Sequence, residues 1–460
     1  DGWAAAKTAA PTAAAPGFGG RDTANQAEYY NVTVAKNARI TQPYWLEDPR
    51  ESDLFSWPGT DVQNLPFQPQ ALIATATFDV NGADVKVEQP VQYRFADPSR
   101  GEIRREINVV PALSIAVDQK LIIVPQSDKP QMRKLGLTIT SNAAKPVSGV
   151  SALNINAMPE WKYGSDKSAF SLKNKGENTN TTFDITVPAK TKLGTFVISP
   201  NAMVGESLAT QTMTTIAYPH IQTHRYYTRA ETKVEVLDLK TAPVRVGYIM
   251  GSGDEVPEAI RQMGLTVTML EEKDVASGDL SRFDTIVVGI RASETRPDLV
   301  ANNGRLLDYA GNGGNVIVQY QRGNWTALAP FPVTTTDTQR TAAGSIARVV
   351  DESAKVKILE PSHPVFNTPN KITDADFNGW VQERNAYNLV TFDPKFTPLL
   401  ESHDAGEAEN KGGLVIAKLG KGTWTYCSYS FFRQLPNGVS GAYRLFANLL
   451  SLPKNQNRLR

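Results

Sequence analysis

Three polar stretches, at 251–255, 291–296 and 319–325, follow apolar runs that have the character of buried strands. An arginine at such a place could hold a carboxylate or a phosphate through two parallel hydrogen bonds. A pair of carboxylates could do acid–base chemistry if burial separated their pKa values. With two residues from later in the chain, the ligand-binding candidates are Gly251, Gly253, Asp254, Glu255, Arg291, Glu294, Arg296, Gln319, Arg322, Glu383 and Arg433.

Each of these candidates also has a structural interpretation. Ser252 or Asp254 could cap a helix that begins near Pro257, and the same turn could bind an anion or a sugar hydroxyl through its amide groups. The charges at 291–296 could grip a ligand or form an internal salt-bridge network. Tryptophan faces could stack on sugar rings, although most tryptophans pack in a core. The tryptophans in question are Trp45, Trp57, Trp325, Trp380 and Trp424.

The elements that would position these side chains alternate between strands and helices over 243–455. That alternation is typical of a parallel sheet with helices on both faces. In such sheets ligands bind beyond the carboxyl ends of the strands, where the polar stretches lie. The predicted elements are strands at 244–250, 265–270, 284–290 and 315–320, a helix at 258–263, an antiparallel hairpin over 413–428 and a closing helix at 441–450.

Two β-rich regions precede this α/β domain. Short alternating runs bounded by turn formers predict a β-sandwich over 26–112. Runs spaced by about 8–12 residues predict an immunoglobulin-like sandwich over 113–240. Residues 1–25 are rich in Ala, Thr, Pro and Gly and predict a flexible linker, which suggests that a segment once preceded it.

The composition excludes several classes of function. With 48 basic and 47 acidic residues the net charge is +1, so neither nucleic acid nor an anionic membrane is an expected partner. No apolar run approaches the roughly 20 residues of a membrane span. One cysteine and four histidines make a zinc or other metal site unexpected, and we expect no cofactor. The low cysteine content is compatible with a bacterial periplasmic or secreted protein.

Several sequence blocks match a known family. The blocks lie at 43–46, 245–257, 283–292, 296–299, 363–364, 380–384 and 430–436. On these blocks the region 41–452 resembles the C-terminal part of large bacterial PIG-L (LmbE-like) deacetylase proteins. The α/β domain resembles the flavodoxin-like, class I glutamine-amidotransferase-like domains. The resemblance therefore implies two immunoglobulin-like β-sandwiches followed by a flavodoxin-like α/β domain.

The family's catalytic motifs do not occur in this sequence. The resemblance implies a zinc-dependent deacetylase acting on N-acetylated sugars, with a His-Pro-Asp-Asp run and a later His-x-x-His. Here His363-Pro364 is followed by Val365, and no two histidines are three residues apart. A class I amidotransferase needs a cysteine at a strand-to-helix turn, but Cys427 lies in a predicted hairpin strand and is interpreted as a core residue.

Three hypotheses for the function follow. The first is a non-catalytic accessory region of a PIG-L-type protein that binds a glycan or scaffolds a deacetylase domain or another protein. The second is a hydrolase of N-acetylated sugars, acting through a parent deacetylase domain or a strand-end site of carboxylates and arginines. The third is a structural or assembly subunit. Fold analogy alone does not decide among them.

Overall fold

The computed structural model describes residues 3–9, 27–35, 38–48, 50–51, 53–57, 59, 62, 64–323, 325–335 and 347–455. The chain is mostly β-sheet with few helices. No helix in these ranges is long and apolar enough to cross a membrane.

The N-terminal segment contains a strand where the sequence predicts a linker. Strand β1 (Ala4–Thr8) pairs antiparallel with β2 (Tyr29–Thr33). The ion pair between Lys7 Nζ and Glu28 Oε1, 2.7 Å long, joins the same two segments. The linker prediction is therefore wrong for 4–8, whereas 10–25 lie outside the described residues.

Two hairpins occupy much of the region predicted as the first sandwich. They are β3 (Ile73–Val80) with β4 (Ala83–Pro90), and β5 (Gln92–Asp97) with β6 (Gly101–Glu106). Asn81 and Gly82 have φ values of 54° and 83°, as a two-residue hairpin turn requires. Each hairpin forms its own two-stranded sheet in the described part of the chain. Among the residues that the structure describes, no second sheet covers these strands, so the predicted sandwich is not seen here.

The β3–β4 hairpin has one apolar face and one polar face. The register places Phe78 opposite Val85 and Ala76 opposite Val87. Phe78 is 54% exposed and Val87 is 49% exposed, so the apolar face is open to solvent. The strand alternation predicted from the sequence is present, but the core that it was expected to build is not.

Residues 113–237 form two sheets packed face to face. One four-stranded sheet has the order β11-β13-β9-β7, and the other follows the path β12-β10-β14-β18-β8, with β15 beside β14 and a separate β16–β17 hairpin. The strands are β7 (Leu113–Val117), β8 (Leu121–Pro125), β9 (Gln131–Ser141), β10 (Val147–Asn154), β11 (Lys162–Ser165), β12 (Ala169–Leu172), β13 (Asn178–Val187), β14 (Gly194–Val204), β15 (Ser207–Ala209), β16 (Gln211–Ile216), β17 (His224–Arg229) and β18 (Thr232–Leu237).

The core of this sandwich lies between the two sheets. Along β13 every second residue is buried, including Phe183 and Ile185, which matches the alternation in the sequence. Met158 and Trp161, predicted to close the core, are buried in the same cluster. This pattern of one buried and one solvated face is typical of antiparallel sheets.

The C-terminal region contains a seven-stranded mixed sheet in the order β20-β19-β21-β22-β31-β30-β28. Three two-stranded sheets, β23 with β27, β24 with β26 and β25 with β29, occur in the same region. The strands of all four sheets are β19 (Arg245–Ile249), β20 (Thr266–Met269), β21 (Thr285–Val288), β22 (Asn315–Gln319), β23 (Val333–Thr334), β24 (Arg348–Val349), β25 (Val356–Ile358), β26 (Asn385–Ala386), β27 (Thr391–Phe392), β28 (Phe396–Pro398), β29 (Leu400–Ser402), β30 (Leu414–Leu419) and β31 (Gly422–Cys427). The helices are α1 (Val256–Gln262), α2 (Glu272–Ser277), α3 (Ala292–Thr295), α4 (Pro297–Ala301), α5 (Asn303–Gly311), α6 (Phe431–Gln434) and α7 (Ser440–Asn455).

Two apolar clusters cover the two faces of this sheet. Val287 and Ile317 belong to the cluster that contains α1 and α7, whereas Ile286 and Val316 belong to the cluster that contains α5. Strands β20, β19, β21, β22 and β31 run parallel, and β30 is antiparallel to β31. The predicted hairpin over 413–428 and the closing helix are both confirmed.

A glutamine joins the sandwich to this domain. Gln262, the last residue of α1, accepts a 2.8 Å hydrogen bond from Ile123 N and donates one of 3.2 Å to Leu121 O. The side-chain amide therefore pairs with the edge strand β8 as another strand would, which protects an otherwise open edge.

Candidate functional site

The loops that carry most of the candidate residues meet at one edge of the seven-stranded sheet. Strands β19, β21, β22 and β31 are parallel neighbours, so their carboxyl ends lie together. The loops after them contain Asp254, Arg291, Arg322 and Arg433. The prediction that these stretches share one edge is confirmed by the strand order.

Two glycines allow the first two of these loops to touch. A Cβ atom on Gly251 would lie 1.9 Å from Ile290 O, and one on Gly289 would lie 2.9 Å from Ile249 O. Ser252 N donates a 3.0 Å hydrogen bond to Ile290 O across this contact. Gly253 has a φ of 101°, a conformation that side chains strongly disfavour. Gly251 and Gly253 thus shape the edge rather than offer groups to a ligand.

A buried hydrogen-bonded network lies at the ends of β19 and β22. Tyr248 Oη donates to Asp254, with 2.7 Å to Oδ1 and 2.8 Å to Oδ2, and accepts a 2.8 Å bond from Gln319 Nε2. Burial raises the pKa of Asp254 and raises the pKa of Tyr248 well above its usual value. Gln319 Oε1 is buried and accepts no hydrogen bond from any described residue. The network joins a phenol and a carboxyl group beside an amide oxygen that no described residue uses as an acceptor.

The start of α1 differs from the predicted cap. Glu255 occupies the N-cap position and makes no side-chain cap bond. Asp254 Oδ1 instead accepts a 3.1 Å bond from Val256 N while facing Tyr248. Asp254 is therefore engaged inward, and Ser252 is not the cap.

The raised pKa of Asp254 predicts an unusual pH dependence of stability. The folded chain binds this proton more tightly than the unfolded chain, so the contribution is full below the ordinary pKa of about 3.9 and is lost as the pH rises through the raised value. Asp254→Asn should therefore be more stable than the wild type at pH 7, and the difference should shrink on acidification. Urea unfolding between about pH 4 and pH 8 measures this.

Asp298→Asn provides the control of opposite sign. A hydrogen bond from Arg296 lowers the pKa of Asp298, so its contribution is present above the ordinary aspartate pKa and is lost on acidification through the lowered value. This variant should lose stability at pH 7 and converge on the wild type in acid. An Asp254→Asn variant that behaves in the same way as Asp298→Asn would contradict the burial argument.

Three aromatic side chains form a ring cluster beside this network. Tyr320 and Tyr387 are stacked, with centroids 5.3 Å apart and an angle of 9° between their planes. Phe432 packs on Tyr320 at 5.3 Å with an angle of 47°. All three residues are only partly buried. The ring cluster, Tyr320, Tyr387 and Phe432, thus presents aromatic surface at the carboxyl edge of the sheet.

Charged side chains surround the ring cluster and form its rim, which comprises Arg291, Glu294, Arg322, Glu383 and Arg433. Arg291 Nε donates a 3.0 Å hydrogen bond to Glu294 Oε2, and Arg322 Nε lies 3.7 Å from Glu294 Oε1. On the other side Arg433 Nε lies 3.2 Å from Glu383 Oε1. The Cζ atoms of Arg322 and Arg433 lie 5.6 Å from the Tyr387 centroid and 5.2 Å from the Phe432 centroid.

Left-handed backbone conformations concentrate at this rim. Arg291, Gln382 and Tyr387 have φ values of 55°, 70° and 64°. Each costs about 1 kcal/mol or more for a residue with a side chain, and such conformations cluster at ligand clamps and active sites. Arg291 is held by the bond from its N to Tyr320 O, 3.0 Å long. Three of the six non-glycine residues with a positive φ in the described part of the chain thus lie at or beside the rim.

Two candidates lie apart from the rim. The Arg296 guanidinium is held by Asp298 at 2.7 Å and donates to Leu270 O at 3.2 Å, so it anchors the start of α4. Glu255 is exposed at the start of α1. Arg296 is therefore engaged with Asp298 and Leu270 rather than with the rim, and the prediction that Arg296 and Glu255 bind the same ligand as Arg291 stays a prediction.

The tryptophan hypothesis is wrong for three of the five positions. Trp325, Trp380 and Trp424 are each no more than 3% exposed and belong to the apolar core. Cys427 is also buried, and burial raises the pKa of its thiol to about 12, as expected for a core residue rather than a nucleophile. His363 Nδ1 accepts a 3.3 Å bond from Val365 N, in agreement with its structural interpretation.

Sequence reasoning missed the residues that make the ring cluster. Tyr387 follows β26 and Phe432 lies in α6, both far from Tyr320 in the chain, and no local pattern brings them together. The available signal was the block 430–436, in which Phe432 stands beside Arg433. Tyr248 was assigned to a strand, but its hydroxyl role depends on Asp254 and Gln319.

Two concave regions lie near or opposite this edge. A cavity of about 430 Å³ lies at the amino ends of the strands and is lined by Arg245, Asp284 and Arg305, among others. A more open groove of about 580 Å³ adjoins Gln382 and is lined also by Arg50 and Asp351. No group of three or more metal-ligating side chains occurs in the described part of the chain.

Comparisons with protein families and with curated proteins find no match. Among solved structures, a β-galactosidase from Rahnella sp. R3 is 14% identical over 47% of this chain and 32% of its own, with a TM-score of 0.29. A family 123 glycoside hydrolase from Clostridium perfringens is 11% identical over 45% of this chain and 38% of its own, with a TM-score of 0.19. An Escherichia coli α2-macroglobulin is 15% identical over 30% and 10%, with a TM-score of 0.18. This chain therefore spans at most about two fifths of these proteins, and scores this low identify no shared fold.

Proposed function

We propose that this chain is a non-catalytic, carbohydrate-binding accessory region. The observation that carries the proposal is the ring cluster, whose residues Tyr320, Tyr387 and Phe432 are partly exposed at the carboxyl edge of the sheet. Flat aromatic surfaces suit the C–H faces of pyranose rings, and tyrosine adds a polar edge. The rim around the cluster supplies donors and acceptors for sugar hydroxyls, as small-molecule sites require.

The finer classification of the domains belongs to the same proposal. Five parallel strands with apolar clusters on both faces support a flavodoxin-like, glutamine-amidotransferase-like α/β domain. Two facing sheets over 113–237, antiparallel except for the parallel pair of β18 and β8, support an immunoglobulin-like class for the preceding domain. The buried Cys427 supports the loss of amidotransferase chemistry.

We propose further that the parent protein is of the PIG-L type and is periplasmic or secreted. The blocks at 245–257 and 430–436 support this, since they supply the loops with Asp254 and with Phe432 and Arg433. In that arrangement a deacetylase domain would be the partner, and this chain would hold the glycan on which the partner acts.

Tyr387→Gly tests the binding site without disturbing the backbone. Tyr387 has a left-handed φ of 64°, which glycine adopts freely and alanine does not. An aromatic contact is worth about 0.5–1.5 kcal/mol, so the affinity for a bound oligosaccharide should fall by about 2- to 12-fold. Relief of strain offsets the lost ring contact, so the free energy of unfolding should change by less than about 1 kcal/mol.

The measurement is a thermal-shift screen of neutral and N-acetylated oligosaccharides, followed by calorimetric titration of each hit. A ligand at 100 times its Kd adds roughly 2.7 kcal/mol of stability. Tyr218→Gly is the control, because Tyr218 is a 60% exposed tyrosine in the connection between β16 and β17 of the preceding domain. Equal sugar affinity in wild type and Tyr387→Gly would remove the ring cluster from the site.

The two alternatives draw on different observations. Hydrolysis by strand-end carboxylates is not favoured by a specific contact, because Glu294 and Glu383 both face arginines. A structural or assembly role is favoured by the open apolar face of the β3–β4 hairpin. A regular oligomer in sedimentation experiments, together with no thermal shift for any sugar in the screen, would favour that role.

A further inference from the structure

The arginines of the rim outnumber its carboxylates. Three guanidinium groups, on Arg291, Arg322 and Arg433, face two carboxylates, on Glu294 and Glu383. The rim therefore carries one positive charge in excess beside a partly buried aromatic surface. A neutral sugar would leave that charge without a counter-ion in a region of reduced dielectric constant.

Arg322 is the arginine of the rim whose positive charge is most available to a ligand. Glu294 Oε2 accepts two bonds from Arg291, so one of the two carboxylate oxygens is occupied. Arg322 Nε is 3.7 Å from the other oxygen, and this buried nitrogen donates no hydrogen bond to any described residue. The Arg322 side chain is 43% exposed, and its Cζ atom lies 5.6 Å from the Tyr387 ring centroid.

A partly exposed guanidinium that is only loosely paired with a carboxylate matches one class of ligand group. Carboxylates and sulfates accept two parallel N–H bonds from arginine, which neutral hydroxyls cannot do. Because Arg322 lies over Tyr387, a sugar ring placed on the ring cluster would bring a charged substituent within reach of its terminal nitrogens. Arg433 is less available, since its Nη1 already contacts Gln382 Oε1.

We propose that the site takes an anionic glycan, a pyranose that bears a carboxylate or a sulfate, with Arg322 binding the oxyanion and Tyr387 the ring. This inference rests on the proposed carbohydrate-binding function. It adds the requirement that the sugar is negatively charged, and it assigns the discrimination between charged and neutral sugars to Arg322.

Uronate oligosaccharides and their methyl esters form a matched test, because esterification removes the charge and keeps the ring. Glucuronate, galacturonate and mannuronate trimers, with their esters, are titrated into the full chain by calorimetry. The acid of the preferred sugar should bind about 10-fold more tightly than its ester in about 50 mM salt, and the ratio should fall as salt screens the charge. Sulfated trimers beside their unsulfated parents distinguish the two sources of negative charge.

Two variants separate the contribution of the Arg322 charge to binding from that of the Tyr387 ring. Arg322→Gln should bring the ratio of acid to ester affinity close to one, whereas Tyr387→Gly should weaken both by a similar factor. Arg282→Gln is the control for lost charge, since Arg282 precedes β21 at the opposite edge of the sheet. Equal binding of acid and ester by the wild type overturns the charge requirement and leaves sugar binding intact. A chain that binds none of these sugars, charged or neutral, overturns both proposals.

Discussion

Replacing Asn448 by alanine is expected to lower the free energy of unfolding by about 3–4 kcal/mol, since a buried group that loses its partner costs about 1–3 kcal/mol. Asn448 is fully buried on α7. Its Nδ2 donates to Val365 O at 2.8 Å and to Asn370 O at 2.7 Å. Its Oδ1 accepts from Asn370 N and from Asn370 Nδ2, each at 2.9 Å. Alanine would remove all four bonds and leave their partners buried.

The loss of stability should be measured from the unfolding of the C-terminal domain. Trp325, Trp380 and Trp424 are buried there, so their fluorescence follows its unfolding in urea. Lys454→Ala is the control on the same helix, because its 2.9 Å ion pair with Asp284 lies at the surface and is worth at most about 1 kcal/mol. If Asn448→Ala unfolds at the same urea concentration as Lys454→Ala, the network does not hold α7 to the loop that contains Asn370.

Local pattern predicts the parts of this fold that depend on near neighbours. The strand Thr285–Val288 is buried at every position because both of its faces are covered, and the apolar residues 286–288 show this directly in the sequence. The hairpin of β30 and β31 is evident from alternation around a glycine turn. The β3–β4 hairpin is equally evident, but alternation cannot show whether another sheet will cover its apolar face.

The position of the candidate site can be predicted from the sequence, but the set of side chains that face one another there is harder to predict. Consecutive parallel strands bring Asp254, Arg291 and Gln319 to one edge, because each directly follows or ends a strand. Whether a side chain then faces its neighbours depends on a few backbone angles. Arg291 turns to Glu294 through a left-handed φ of 55°, whereas Arg296, five residues later, turns back to Asp298. Tyr387 reaches the site through a long connection that no periodicity encodes.

Gly251→Ala is expected to cost about 2–3 kcal/mol and also to weaken ligand binding, because overpacking a close contact typically costs about 1–3 kcal/mol. The new Cβ atom would lie 1.9 Å from Ile290 O and 2.8 Å from Ala292 N, which are backbone atoms without freedom to move aside. The two loops would have to separate, and the 3.0 Å bond between Ser252 N and Ile290 O would be lost. Arg291 follows Ile290 directly, so its guanidinium would move with the loop.

Gly253→Ala distinguishes this clash from simple backbone strain. A Cβ atom on Gly253 meets nothing within 4 Å, but its φ of 101° makes alanine unfavourable by roughly 1–2 kcal/mol. That variant should lose stability while keeping its ligand affinity, because the contact with Ile290 remains. Calorimetric titration of both variants with the best sugar, together with urea unfolding, separates the two effects. Unchanged affinity in Gly251→Ala would mean that the position of Arg291 is set by its bond to Tyr320 O rather than by the contact between the loops.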